Sequence, residues 1–114
     1  MKIIFTSKGK DWDSKIDPRF GRTEFILTYD TEKDLLENYD NSSVAEEAHG
    51  AGPRTAKIIY DLTPDVLITG NGPGNNAISV LNELKMEIYT GAENLSIKEA
   101  LEAYKKGTLN KFNN

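Results

Sequence analysis

The sequence predicts an α/β domain in which helices cover both faces of a mixed, five-stranded sheet. Short apolar segments flanked by Gly, Pro and Asp alternate with segments whose apolar residues recur at helical spacing. In chain order these segments give the pattern β-β-β-α-β-α-β-α. An antiparallel hairpin followed by two βα crossovers predicts the strand order 3-2-1-4-5, with one antiparallel strand in the middle.

The first three predicted strands form a hairpin extension of the opening strand. Lys2–Thr6 is a short apolar segment, and Thr23–Tyr29 alternates as a half-buried strand should. After a turn, Leu35–Tyr39 returns as a shorter strand, and the polar segment Asp40–Gly52 is predicted to be a second loop. The loop Ser7–Arg22 is long for a compact domain, and loops of that length are often functional.

The second half predicts two crossovers and a closing helix. Its elements, in order, are a helix from Pro53 that ends before Pro64, a strand over Asp65–Thr69, a helix with the stripe Ala77, Ile78, Leu81 and Leu84, a strand over Met86–Tyr89, and a helix that ends at Gly107. Ser96 and Glu99 predict a capping box for that last helix. Thr108–Asn114 is expected to be a tail in which Leu109 and Phe112 contact the core.

Length and composition exclude several classes of protein. The 114 residues fit a single domain, 1–114, and 38% hydrophobic with 28% charged residues is typical of a soluble globular protein. No apolar run is long enough to span a membrane and no signal peptide is evident, so the cytoplasm is the expected location. A net charge of −4 argues against general nucleic-acid binding.

Cysteine and histidine usage narrows the chemistry further. With no Cys, the chain cannot form disulfides, Cys-ligated zinc sites or an iron–sulfur cluster held by its own thiolates. His49 is the single His, which excludes multi-histidine metal sites. The acidic residues Asp11, Asp13 and Asp17 could form a hydrolytic Mg²⁺ site. A solvated acidic loop is the favoured interpretation, because no partner carboxylates are expected on the central strands.

The three arginines, Arg19, Arg22 and Arg54, each lie within two residues of a Gly, whereas the eleven lysines are scattered. Arg offers a planar fork of donors that suits carboxylates, phosphates and similar oxyanions. A neighbouring Gly lets the backbone approach a ligand closely. Three surface salt bridges would explain the same spacing equally well.

Ligands of such sheets bind beyond the carboxyl ends of the parallel strands. The loops Ser7–Arg22, His49–Arg54 and Gly70–Asn75 are expected to converge there, and they hold every Arg, the only His and most of the nine glycines. Gly70–Asn75 follows a strand and opens a helix, which favours anion binding by free amides. It is neither a dinucleotide fingerprint nor a P-loop, and a turn needed only for backbone geometry is the alternative. His49 is a candidate contact to a bound cluster or anion, against an ordinary hydrogen-bonding role.

Three segments taken together resemble the dinitrogenase iron–molybdenum cofactor biosynthesis family, which includes NifX, NafY and the C-terminal part of NifB. The segments are Asp17–Arg22, His49–Ala56 and Thr69–Ala77, and the resemblance covers nearly the whole chain. It implies a ribonuclease H-like, three-layer α/β/α fold. It also implies a protein that binds or carries the iron–molybdenum cofactor or its iron–sulfur precursor.

The resemblance extends to single positions. Arg19 stands where nitrogenase-associated carriers often have a His, and an Arg can pair with the sulfides of an anionic cluster but cannot ligate iron. His49 is then the sole imidazole able to bind metal. The predicted ligand-binding residues are Arg19, Phe20, Gly21, Arg22, His49, Gly50, Gly52, Arg54, Gly70, Asn71, Gly72, Gly74 and Asn75.

The favoured function is a non-enzymatic carrier for an anionic iron–sulfur or iron–molybdenum cluster, bound transiently, with cluster-assembly proteins as partners. Without thiolates, binding should be exchangeable, as a carrier requires. A regulatory module that senses a small anion or a phosphate-bearing metabolite through the same loops is the alternative. A metal-dependent hydrolase or nuclease is less favoured, and no membrane or nucleic-acid partner is expected.

Overall fold

The computed structural model describes residues 1–112. Its strands are β1 (Lys2–Ser7), β2 (Phe25–Asp30), β3 (Leu35–Asp40), β4 (Val66–Ile68), β5 (Glu87–Thr90) and β6 (Asn110–Lys111). Its helices are α1 (Ser42–Ala45), α2 (Ala51–Leu62), α3 (Asn75–Leu81) and α4 (Ile97–Lys106). The predicted domain runs to residue 114, and its last two residues lie outside the described part of the chain.

The strands form one sheet in the order β3-β2-β1-β4-β5-β6. β1, β4 and β5 are parallel neighbours, and β2 runs antiparallel between β1 and β3, which confirms the predicted order and the antiparallel strand in the middle. The predicted count of five strands is wrong. Asn110–Lys111, expected in a tail, pairs antiparallel with β5 as a sixth strand. Two residues are too few to show an alternating pattern, so the sequence carried no sign of this strand.

Alternation along the central strands sends buried side chains to opposite faces of the sheet. Ile3 and Phe5 of β1 pack with α4 on one face, in a cluster that also contains Ile68. Ile4 of β1 and Leu67 of β4 pack with α2 and α3 on the other face. The structure therefore has the predicted three layers, α4 on one side of the sheet and α2 with α3 on the other.

α1 and α2 differ from prediction at their starts, and α3 ends at Leu81, so Leu84 of the predicted stripe lies outside the helix. α1 lies inside a segment predicted to be a loop, because four residues are too short for a helical stripe. α2 begins at Ala51, two residues before the expected start at Pro53, after Gly50 with φ 80°. α4 has the predicted capping box of Ser96 and Glu99 and ends at Gly107. Within residues 1–112, no helix combines the length and apolar character needed to cross a membrane.

Candidate functional site

The predicted loops meet at the edge of the sheet where β1 and β4 end. We call this edge the rim and define it by Asp17–Arg22, His49–Arg54 and Gly70–Asn75. The first and third segments touch at Pro18, whose carbonyl accepts a hydrogen bond from the Asn71 N–H at 2.9 Å. A Cβ on Gly70 would lie only 2.6 Å from Pro18 Cα, so this contact requires glycine.

The first and second segments of the rim are in backbone contact through Gly21 and Gly52. A Cβ on Gly21 would lie 2.7 Å from Gly52 Cα and 2.8 Å from Gly52 N. The Thr55 hydroxyl reinforces the contact by donating to the Gly21 carbonyl at 2.8 Å. A Cβ on Gly52 would in turn lie 3.8 Å from Ala77 Cβ, which places the beginnings of α2 and α3 side by side.

Asp17 anchors the first segment from inside the protein. Its side chain is fully buried, and its Oδ1 accepts from the Arg19 N–H at 3.1 Å and from Arg19 Nε at 3.2 Å. Its Oδ2 accepts from Arg19 Nη2 and from the Glu24 N–H, both at 3.2 Å. The hydrogen bond to Asp17, and then its charge, raise the pKa of the Arg19 guanidinium. A carboxylate so fully engaged organises the loop.

The Arg22 side chain caps the C-terminal end of α1. Its Nη1 donates to the carbonyls of Ala45 and Glu47 at 2.7 Å and 2.8 Å. These carbonyls belong to the end of α1 and the residues just after it, where helical acceptors lack partners. Arg22 therefore explains why a four-residue helix forms in the predicted loop.

Arg54 lies in the first turn of α2 and forms an ion pair with Glu47. Arg22 and Arg54 thus meet at Glu47, one through its carbonyl and the other through its carboxylate. Within residues 1–112, two of the three arginines form ion pairs, and one of these is with the buried Asp17, whereas the salt-bridge interpretation expected three at the surface. Arg19 and Arg54 nevertheless keep more than half of their side-chain surface exposed, at 53% and 63%.

The rim also presents backbone amides. The residues capping α2 and α3 are Gly50 and Gly74, neither of which offers a side chain to the first turn. Within residues 1–112, no acceptor is bound to the first-turn N–H groups, which are those of Ala51, Gly52, Asn75, Asn76 and Ala77. The longer helix, α2, adds the positive end of its dipole at this place. Free donors and exposed guanidinium groups together favour an anion.

The other predicted residues lie at different depths. Phe20 is buried, and its ring packs in the core layer of α2 and α3 below the rim. Gly72 lies directly against the Phe112 ring, so Phe112 covers this part of the third segment. His49, Gly50, Asn71, Gly74 and Asn75 are exposed. The predicted tail contacts are confirmed, since Leu109 and Phe112 pack against opposite core layers.

A cavity of about 320 Å³ adjoins the rim. Its lining residues are Arg19, Arg22, Glu24, Phe25, Ser42, Ala45 and Glu46. Of the predicted site residues, only Arg19 and Arg22 line it, while His49, Arg54 and the glycines of the second and third segments lie outside. The loops are brought together, but the side chains of the predicted set do not share one hollow.

The acidic loop does not assemble a metal site in the described part of the chain, where no group of three or more His, Cys, Asp or Glu side chains could hold an ion. Asp11 Oδ1 accepts from the Asp13 N–H at 3.1 Å, and Asp17 is engaged by Arg19. The anchoring roles of Asp17 and Glu47 do not follow from the sequence alone. Only the position of Asp17, two residues before Arg19, hinted at one of them.

A family model described as dinitrogenase iron–molybdenum cofactor matches residues 1–107 of the chain. No curated protein matches its sequence.

Three solved structures are similar to this chain over nearly their whole length. The apo form of the orange protein from Desulfovibrio gigas is 27% identical with a TM-score of 0.89, covering 97% of this chain and 92% of that one. A proposed NifB protein from Thermotoga is 28% identical with a TM-score of 0.81, covering 99% and 97%. A proposed dinitrogenase from Methanocaldococcus jannaschii is 20% identical with a TM-score of 0.69, covering 100% and 96%, and shows the fold alone.

Proposed function

The chain belongs to the dinitrogenase iron–molybdenum cofactor family, and from this premise we propose that it is a non-enzymatic carrier. Its cargo is an anionic iron–sulfur or iron–molybdenum type cluster, or a precursor of one. The cargo binds transiently at the rim and passes to or from cluster-assembly proteins. Likeness to the orange protein and to a proposed NifB protein, both above 25% identity, supports this assignment.

The observation that carries the proposal is the contact of three glycine-bearing segments at one rim. Gly21 against Gly52 and Gly70 against Pro18 hold the segments together backbone to backbone. The first-turn N–H groups of α2 and α3 that have no acceptor within residues 1–112 lie beside these contacts. Backbone N–H groups are good donors to the sulfide and oxyanion atoms on the outside of an anionic cluster. Such donors hold a cargo by charge and hydrogen bonds that form and break without chemistry at the metal.

The donor set also explains why the cargo should exchange. The chain has no Cys, so no thiolate can bind iron covalently. Arg19 and Arg54 supply charge, and His49 is the only imidazole available as a direct ligand. A cargo held by amides, two guanidinium groups and at most one imidazole can be released to a partner whose site offers stronger ligands.

The test is anaerobic reconstitution with variants matched in position and charge. Arg54 and Lys57 both lie on α2, are 63% exposed and form one ion pair each, but only Arg54 is in the first turn. Protein is incubated with an iron–sulfur or iron–molybdenum cluster and desalted, and bound cluster is followed by visible absorption and EPR. We expect wild type and Lys57→Gln to retain the chromophore, and Arg54→Gln to retain several-fold less.

His49→Ala separates two modes of holding the cargo. If the imidazole is a ligand, this variant changes the EPR spectrum of the bound cluster; if only charge and amides hold it, the spectrum is unchanged. Absence of any retained chromophore in wild type at high protein concentration contradicts the carrier. A rise in melting temperature with nucleotides or phosphate, but not with clusters, would instead identify the phosphate-sensing module.

A further inference from the structure

The two edges of the sheet are built differently. β6, at one edge, has two residues, and its Lys111 forms an ion pair with Glu87 of the neighbouring strand. β3, at the other edge, has six residues that pair with β2 without a bulge. It contains neither Lys nor Pro, the residues that commonly protect an edge strand. β3 is therefore the open edge.

The ladder between β2 and β3 decides which backbone groups of β3 face outward. The Asn41 N–H donates to the Glu24 carbonyl, so the hydrogen-bonded pairs continue at every second residue, through Tyr39, Glu37 and Leu35. Leu36, Asn38 and Asp40 then direct their N–H and C=O groups away from the sheet. Within residues 1–112 these outward groups have no hydrogen-bond partner.

Exposed apolar side chains are concentrated on the same strand. Among the described residues, only Met1, Leu35 and Tyr39 are large hydrophobic side chains that are well exposed, and two of the three belong to β3. Leu35 and Tyr39 lie on the same face, with Glu37 between them, because alternate residues of a strand share a face. Along this face an apolar side chain is followed by an acidic one and then by a second apolar one.

The charge of the chain is concentrated here too. Residues 30–40 contain five acidic residues and one basic residue, a net charge of −4 that equals that of the whole chain. The rest of the chain therefore has equal numbers of acidic and basic residues. Lys2 and Lys33 line a small cavity beside Leu35 and Glu37, at the hairpin end of β3. Glu37 and Asp40 carry the acidic charge of β3 itself, and the other three acidic residues lie just before this strand.

Self-pairing of β3 around a two-fold axis is unfavourable in both central registers. Centring on Glu37 would oppose Leu35 to Tyr39 of the second copy, but it would also oppose Glu37 to its own copy. Centring on Asn38 would oppose Glu37 to Tyr39 and Leu36 to Asp40. Like charges directly opposite each other, or an acid opposite an apolar residue, destabilise a strand pair.

We infer that β3 is the docking edge for an extended segment of a partner protein in which apolar and basic residues alternate. The segment adds as an antiparallel strand, bonded to the outward groups of Leu36, Asn38 and Asp40. It places apolar side chains opposite Leu35 and Tyr39 and a Lys or Arg opposite Glu37. β3 leads directly into α1, which lines the cavity beside the rim, so the docked partner lies next to the rim. The inference does not depend on what the rim carries.

The test uses a capped synthetic peptide with the core Val-Thr-Lys-Thr-Val flanked by lysines, and a control peptide with Glu in place of each Lys. Binding to the full chain is measured by fluorescence anisotropy and by amide hydrogen exchange. We expect the basic peptide to bind at least about tenfold more tightly than the acidic one, and to protect the amides of Leu36, Asn38 and Asp40.

Two variants make the result specific to the edge. Asn38→Pro removes an outward N–H while leaving the ladder to β2 intact, so it should fold and weaken binding at least about tenfold. Glu37→Lys should reduce the preference for the basic peptide several-fold, because it halves the net negative charge of residues 30–40 and places like charges opposite each other. Glu83→Lys, the same charge change after the end of α3, should leave the preference unchanged and serves as the control.

Three outcomes overturn the inference. The first is that wild type does not bind the basic peptide. The second is equal binding by wild type and by folded Asn38→Pro or Glu37→Lys. The third is protection of the Leu36 and Asn38 amides without peptide, together with a dimer in sedimentation, because the edge would then be occupied by a second copy.

Discussion

At the scale of single residues, buried Asp17 shapes the rim more than the exposed arginines do. It accepts four hydrogen bonds, three of them from Arg19, and its own backbone is tied to Thr6 at 3.0 Å and 2.8 Å. The exposed guanidinium of Arg19 is thereby fixed in direction. A side chain held in advance loses less conformational entropy when it binds a ligand.

Asp17→Asn should destabilise the protein by about 2 kcal/mol, because an amide nitrogen would then face N–H donors in a buried place. Urea denaturation measures the loss, and hydrogen exchange at the amides of Arg19 and Glu24 locates it. Asp13→Asn, an exposed change in the same loop, should leave stability nearly unchanged. Equal stability of both variants would mean that Asp17 does not anchor the rim.

Gly21→Ala should destabilise the protein by about 2 kcal/mol, because the new methyl group would meet the backbone of Gly52. Gly74→Ala is the matched control: Gly74 has φ −72°, and a Cβ there would have no atom within 4 Å. Because Gly74 caps α3 and Ala is a poorer N-cap than Gly, that change should cost less than about 1 kcal/mol and introduces no steric clash. Thermal denaturation of the two variants checks the difference, and a tolerated Gly21→Ala would contradict the close contact.

At the scale of elements, the sequence predicted what depends on periodicity and missed what depends on tertiary contacts. The strands around β1 and the capping box of α4 follow from patterns within a few residues, and both are confirmed. α1 depends on Arg22, which caps its last carbonyls, and β6 depends on its pairing with β5. A segment of two to four residues carries no period of its own, so its structure cannot be seen in its sequence.

The capping box of α4 predicts a pH dependence. The backbone hydrogen bond from Ser96, and then its side chain, lower the pKa of Glu99 below the ordinary value of 4.5. The ionised carboxylate therefore stabilises the folded state fully above pH 4.5, and the contribution disappears as the pH falls through the lowered pKa.

Glu99→Gln should accordingly be less stable than wild type near neutral pH, and the difference should shrink as the pH falls below 4.5. Urea denaturation of both proteins across this range measures it. Glu102→Gln, at an exposed position on α4 outside the capping box, is the control. A difference that grew toward acid pH would contradict the assigned role.

At the scale of the whole molecule, two core layers share one sheet. Ile68 and Leu67 are neighbours on β4, both fully buried, yet they pack into opposite layers. The single tryptophan, Trp12, belongs to the α4 layer, with its ring 4.9 Å from that of Tyr29. Because β4 contributes side chains to both layers, we expect a substitution that destabilises one layer to lower the stability of the other, so that the two unfold together.

Leu67→Ala and Ile68→Ala should each destabilise the protein by about 3 kcal/mol. In both variants, Trp12 fluorescence and far-UV circular dichroism should report the same urea midpoint, although only Ile68 lies in the layer of Trp12. Separate midpoints in Leu67→Ala would show that the layers unfold independently.

The candidate site shows the same division between pattern and contact. That the loops converge followed from the parallel strands, and the structure brings Pro18 to Gly70 and Gly21 to Gly52. What each arginine binds did not follow, because the acceptors are a buried Asp17, a turn of α1 and Glu47. Charge and glycine spacing locate a rim, whereas side-chain partners depend on the folded geometry. The ligand-binding roles remain predictions.

The shortness of β6 has a consequence for behaviour at high concentration. A filament that grows by strand pairing needs two open sheet edges on every subunit, because each added subunit must offer an edge to the next one. Here one edge of the sheet is formed by β6, whose two residues are too few to serve as a template for another strand. Once a strand has bound to β3, no second long edge is left for further addition. High protein concentration should therefore give complexes of defined size and not filaments.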